Sequence, residues 1–393
     1  MLVPKLRFKE FSNEWKKIKL KHISTELQYG MNAAATDFDG QNKYIRITDI
    51  DDNTHLYNNN PVSPDGKLEE KFLVNTNDIL FARTGASTGK TYLYSIEDGR
   101  LYFAGFLIRA HIKENNNSRF IFEQTNLSRY KNWLKLTSMR SGQPGINSAE
   151  YGNYEFSITN IDEENKIAHF FELLNKKIEL QQRKIEVLKM YKKGLSDNIY
   201  ASLKEKIIEL NNYAIVQGGF AFKSELFQKK GKPIVRISNI YNNLVDLNDL
   251  VYYDSALEID KKFYVNDSDL LIAMSGATTG KYGIYHNTYP AYLNQRVGKI
   301  ICKKYTILYY PYLYFLFGLT AYEKQLQSRL IAGAQPNISP ADIENMKFKF
   351  PNINTQKKIA DMIINITKKI SIENKKLDNL NILKQSLLQQ MFI

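Results

Sequence analysis

The chain has 393 residues, with 54 Lys and Arg against 41 Asp and Glu, a formal charge of +13. That length allows two domains with real cores, and that charge favours a polyanionic partner, nucleic acid first and a membrane surface second. A single cysteine, Cys302, excludes a disulfide framework and a cysteine zinc site and fits a reducing cytoplasm, and five scattered histidines give no metal-ligand spacing.

Residues 1–20 are charged throughout and offer no signal peptide. Strands are predicted at 44–50, 78–83, 91–95 and 106–112, rich in Ile, Leu, Tyr and Phe and punctuated by Gly, Asn, Asp and Pro. A helix is predicted at about 119–139, then a loop, then a long helix. In that helix Ile167, Phe171, Leu174, Ile178, Gln181, Ile185, Leu188, Lys192, Leu195 and Ile199 step alternately by four and three, a heptad seam. The second half repeats the order, with a helix at about 312–331. The apolar run inside it, 308–319, is too short to span a bilayer. A second seam follows: Ile359, Ile363, Ile366, Ile370, Glu373, Leu377, Leu380, Lys384, Leu387 and Met391.

The halves match at a shift of about 191 residues, too long a period for a solenoid, whose units run roughly 20–50. DILFARTGASTGKTYLY (78–94) falls on DLLIAMSGATTGKYGIY (269–285), SGQPGINSAEY (141–151) on GAQPNISPADI (333–343), and IRITDI (45–50) on VRISNI (235–240). A duplicated domain suits a partner with two half-sites, and duplex DNA is the commonest such partner. Seams kept this long usually meet another seam. Antiparallel pairing that sets Lys192 against Glu373 also sets Gln181 against Lys384, so these four residues are the expected register lock. The expected fold is α+β: two similar α/β domains separated by two long helices that pair as an antiparallel coiled coil. The divisions are 1–157, 158–203, 204–349 and 350–393.

GASTGKT (85–91) resembles a phosphate-binding P-loop but lacks one residue between the glycines, and the second copy has Tyr282 where a magnesium-binding hydroxyl belongs. The better reading is a glycine-rich turn whose small hydroxyls and lysine suit DNA phosphates; a plain hairpin turn is the alternative. This makes Arg83, Ser87, Thr88, Lys90, Thr278, Thr279 and Lys281 candidate DNA contacts. Gln143, Gln335 and Asn337 sit in the other repeated loop; Gln and Asn can pair with adenine, or the loop's polar groups can cap the following helices. Arg140 lies in a basic and aromatic stretch whose aromatics also suit a core. Base-reading residues should lie where the halves differ, around 28–41 and 217–230. No Pro-Pro pair for an adenine methyltransferase tetrad, HExxH or Gly-Ser-Gly elbow is present.

PKLRFKEFSNEWKKIKLKHI (4–23), YIRITDI, DILFARTGASTGK, SGQPGINS and the repeated NI-x4-KIA (160–168 and 352–360) resemble the recurring blocks of type I restriction–modification specificity subunits. The resemblance runs the length of the chain in that family's order. The first spacer reads SITNIDEENKIA and lacks the proline of FPNINTQKKIA in the second. The sequence stops at Ile393, just past the second long helix, where a full-length member is expected to end. The resemblance implies a non-catalytic subunit, each of whose recognition domains reads one half of a split double-stranded DNA target. The helices would set the gap and dock two methyltransferase subunits, and two restriction subunits would complete the complex. S-adenosylmethionine, ATP and Mg would belong to those partners. The alternative from another class is a two-headed protein–protein scaffold whose charge serves solubility.

Overall fold

The computed structural model describes residues 2–52, 54–138, 144–241, 243–254, 259–330 and 336–393. It forms two compact units, Met1–Gln182 with Lys376–Ile393, and Arg183–Lys375.

In the first unit the unbroken apolar run after Asp78 demands burial on both faces. Strand Asp78–Ala82 is buried at every position. It pairs antiparallel with Thr91–Leu93 on one side and Leu107–Ile112 on the other, and Ser24–Tyr29 completes the sheet. Side chains alternate across it. Ile79 and Phe81 enter a core with Trp15, Phe120 and Tyr151, while Leu80 and Ala82 enter a second with Ile45 and Phe103. The parallel pair Lys43–Ile45 and Leu101–Phe103 carries that second core. A third pair joins Lys16–Lys19 to Glu155–Ile158, antiparallel.

The second unit repeats this plan. Ala214–Gly218, Val297–Cys302, Leu270–Ala273 and Tyr282–Ile284 lie in the same order, extended by Asn243–Val245 and Ile240–Tyr241. Leu270 and Ile272 face one core, Leu271 and Ala273 another. Lys232–Val235 runs parallel to Ala291–Leu293, and Ile207–Glu209 pairs with Lys347–Lys349. The duplication seen in the sequence is thus a duplication of sheet topology.

The helices expected at 119–139 and 312–331 are each two helices. Ser118–Gln124 precedes Ser128–Ser138, and Tyr312–Phe317 precedes Thr320–Leu330. Thr125 stops the first by turning its hydroxyl to Phe122 O at 2.7 Å. In the second unit Gly318 ends one helix and Asp197 starts the next, accepting from Thr320 N at 2.9 Å and Thr320 Oγ1 at 2.6 Å. The apolar run near Leu308 belongs to this buried core. Among the described residues no helix is long and apolar enough to cross a membrane.

The long helices span Ile161–Ser202 and Ile353–Met391. Asn160 and Asn352, the first residue of each repeated NI-x4-KIA, cap them by accepting from Glu163 N at 2.9 Å and Thr355 N at 3.0 Å. Every seam position in both is buried or half-buried. In the first unit Phe171, Leu174 and Ile178 share a core with Leu387, Leu388 and Met391. In the second, Ile199 and Tyr200 share one with Ile359, Ile363 and Ile366. In each unit the start of one helix packs on the end of the other, which is antiparallel pairing.

The expected polar lock differs in its partners. Glu373 is buried and pairs with Lys184 at 3.2 Å rather than with Lys192. Lys184 lies beside the seam, so its stem can bring the ammonium in while staying half-solvated. Lys192 is half-buried, and burial alone pulls its pKa down. Lys384 approaches the fully buried Glu123 at 3.9 Å, and Glu123 also accepts from Asn175 Nδ2 at 2.9 Å. Gln181 is half-buried.

Residues from opposite ends of the sequence close the first unit. Leu6 N donates to Gln390 O at 2.9 Å, and the Trp15 ring meets the Phe392 ring edge-on at 6.2 Å. Arg7 donates two hydrogen bonds to the buried Glu163 carboxylate, Nε to Oε1 and Nη2 to Oε2, both at 2.7 Å. Leu388 is fully buried.

Candidate nucleic-acid interface

The two loops repeated in the sequence meet in space in each unit. Thr84 bridges Gly145, and Ser275 bridges Asn337. Gly85 N donates to Pro144 O at 3.0 Å and Gly276 N to Pro336 O at 3.2 Å. Ile146 N and Ile338 N donate to Arg83 O and Met274 O, both at 2.9 Å.

The glycine-rich turn is closed from within. The N–H groups of Thr88, Gly89 and Lys90 bond to Gly85 O, Ala82 O and Ser87 O. Thr88 Oγ1 donates to Gly85 O at 2.8 Å, and Thr279 Oγ1 to Gly276 O at 2.7 Å and Pro336 O at 2.9 Å. Gly89 and Gly280 have φ of +89° and +79°, and a Cβ there would meet Leu134 Cδ1 at 2.2 Å or Leu326 Cδ2 at 2.1 Å. Their carbonyls accept from Tyr130 OH at 3.0 Å and Tyr322 OH at 2.6 Å. Burial pushes both phenol pKa values up, so both stay protonated donors. A turn whose amides are consumed by its own carbonyls cannot wrap a phosphate as a P-loop does.

The candidate residues therefore sort by direction. Thr88, Thr279 and Lys90 turn inward. Lys90 Nζ donates to Ile50 O at 2.9 Å and pairs with Asp52 at 2.5 Å. Lys90 Nζ also reaches Ile47 O at 3.4 Å; in the second unit the matching carbonyl, Ile237 O, accepts from Thr278 Oγ1 at 3.1 Å, and Lys281 is exposed. Ser87 is half-exposed and Asn337 exposed. The Arg83 guanidinium lies 4.9 Å over the Tyr29 ring, whose hydroxyl accepts from Ser148 N at 3.0 Å. Arg140, Gln143 and Gln335 lie outside the described residues. The loops' polar groups also cap helices: Asn147 with Glu150, and Ser339 with Asp342, form reciprocal capping boxes.

One element of this edge carries no repeated motif. Ala104–Leu107 and Asn294–Val297 are tight turns, closed by Leu107 N to Ala104 O and Val297 N to Asn294 O, both 2.8 Å. Arg83 N donates to Phe106 O at 3.0 Å and Met274 N to Arg296 O at 2.9 Å, which ties each turn to the two loops. Aligning YFAGFLI (102–108) with YLNQRVG (292–298) would have flagged it: matched strands, unlike corners. Among the described residues, no group of three or more His, Cys, Asp or Glu is placed to hold a metal ion.

The family profile of the type I restriction modification DNA specificity domain matches residues 12–190 and again 205–381. The type I restriction enzyme MjaVIII specificity subunit of Methanocaldococcus jannaschii is 23% identical over 346 residues, 81% of this chain and 79% of that protein. The crystal structure of a type I restriction–modification S subunit from M. genitalium shares the fold, with a TM-score of 0.62 and 16% identity over 100% of this chain and 99% of that one. A chain from a structure of the type I R-M system aligns with a TM-score of 0.57 and 14% identity, over 98% and 99%. The profile covers both halves of the duplication, and the chain belongs to the type I restriction–modification DNA specificity family.

Proposed function

We propose that each unit reads one half of a bipartite, gapped, double-stranded DNA target. In this reading the paired helices set the gap and dock two methyltransferase subunits. The chain itself is non-catalytic: methylation, with S-adenosylmethionine, and cleavage, with ATP and Mg, reside in the methyltransferase and two restriction subunits. The functional divisions are 1–157, 158–203, 204–349 and 350–393. The observation that carries the reading is the same loop-and-turn edge built twice, on the same sheet topology, in a chain of charge +13. Phosphate contacts supply affinity that falls steeply with salt, and base edges supply sequence choice.

Docking is supported by apolar side chains that the seams leave outside. On the first long helix Leu173, Leu180 and Val187 recur every seven residues at 54%, 57% and 58% exposure. A heptad stripe outside an occupied seam fits a partner surface. The test exchanges residues 204–349 for the segment of another family member and sequences the methylation motif of cells that also carry the methyltransferase subunit. One half of the motif should change and the other persist. A change in both halves, or no motif at all, would defeat the two-reader reading.

A further inference from the structure

We propose that the corner residues Gln295 and Arg296 read base edges for the second unit, and that Phe106 is their counterpart in the first. This deepens the function proposed above and rests on it.

The frame is the same in both units. Leu293 and Val297 flank the corner and are fully buried, as are Phe103 and Leu107. Asn294 N donates to Val235 O at 3.1 Å and Ala104 N to Ile45 O at 3.0 Å, so the parallel pair holds each turn from behind. The loop strand holds each from the side, through Arg83 N and Met274 N. A corner fixed at three points can aim side chains more accurately than a free loop.

What the frame presents differs. Gly105 and Phe106 occupy the corner in the first unit, Gln295 and Arg296 in the second. Phe106 is 59% exposed and, among the described residues, is in no aromatic pair and in no core. Gln295 and Arg296 are exposed, and among the described residues neither side chain has a hydrogen bond or ion pair. The arginine also changes strands. The first unit has Arg83 opposite Phe106, laid on Tyr29; the second has the buried Met274 opposite Arg296. Each edge thus holds one guanidinium and one apolar side chain across the same backbone hydrogen bond, in reversed positions. Two readers of unlike half-sites need a shared frame and unlike tips, and here the frame is repeated and the tip is not.

The chemistry follows from the side chains. Arg pairs bidentately with guanine O6 and N7, and Gln with adenine N6 and N7. An exposed Phe can touch a thymine methyl or wedge between base steps. The second unit's half-site is therefore expected to contain a guanine read by Arg296.

The test is methylome sequencing in a host without methylation of its own, co-expressing this chain and the methyltransferase subunit of its operon. Arg296→Ala and Gln295→Ala should each relax one or more positions in one half of the motif, with discrimination there falling about 5- to 150-fold. Phe106→Ala should alter only the other half. Co-purification with the methyltransferase checks that each variant folds, and the two second-unit substitutions back each other. A wild-type motif that all three variants leave unchanged overturns this assignment. So does a uniform fall in methylation with base preferences intact, the mark of a phosphate contact, or a change in both halves from Arg296→Ala. A wild type that yields no two-part motif defeats the function proposed above as well.

Discussion

Replacing Glu164 with Gln should stabilise the first unit at neutral pH and leave it nearly unchanged in acid. Glu164 sits in the first turn of the first long helix and is fully buried. Burial raises its carboxyl from 4.5 to about 7, against the opposing pull of Asn117 N at 2.8 Å and Thr159 N at 3.4 Å. A folded-state pKa above the unfolded one means that the fold prefers the protonated acid. That stability is complete below pH 4.5 and is lost as pH rises to about 7. The shift corresponds to about 3 kcal/mol in all. Gln keeps the acceptor oxygen and has no proton to lose, but it gives up a negative charge at a helix N-terminus, worth about 0.3–1 kcal/mol. The net gain at pH 8 is therefore about 2 kcal/mol, or roughly 4–8 °C for a unit of this size. Thermal melts of both proteins from pH 5 to 8 at constant ionic strength read it directly. Parallel curves, or a variant less stable at pH 8, would refute the reasoning.

Lys192→Met should raise the melting temperature by about 1–2 kcal/mol equivalent at pH 7, because a half-buried ammonium on the seam is replaced by a flexible apolar chain. Its folded pKa is lowered, so the gain should shrink as pH climbs toward 10.5, the ordinary lysine value; a gain equal at pH 7 and 10 would count against desolvation as the cause. Gly89→Ala should cost about 2–4 kcal/mol, because it combines a left-handed φ with a collision at Leu134. Gly85→Ala in the same turn has φ +71° and open space at the Cβ, so denaturant titration should find only about 1 kcal/mol. Equal costs at the two glycines would show that Leu134 yields.

The heptad seams were legible because a spacing of alternating three and four has one structural reading, and burial follows it residue by residue. Asp78–Ala82 and Leu270–Ala273 were legible as runs with no polar face to spare. The breaks at Thr125 and Gly318 were not, since aromatics at helical spacing continue across both. The direction of Lys90 depends on Ile50 and Asp52, some forty residues away in sequence, and no local pattern encodes it. Its twin Lys281 follows the same Thr-Gly pair and is exposed. Seam positions alone do not give the partner of Glu373, because Lys184, a lysine beside the seam, reaches in. The shared motifs do not point to Arg296, because its corner is where the two copies part.

The clasp between Trp15 and Phe392 bears on how the protein is made. A ribosome releases residues in order, and the second unit is one continuous stretch that can close while translation proceeds. The first unit cannot: Leu388, Met391 and Phe392 fill a core whose other walls emerged hundreds of residues earlier. Until they arrive, Trp15, Phe120 and Phe171 face water or a chaperone. A messenger cut short before codon 388 would yield a chain with one finished unit and one open core, marked for degradation by its exposed aromatics. The architecture thus couples the folding of the core around Trp15 to the synthesis of residues 388–392.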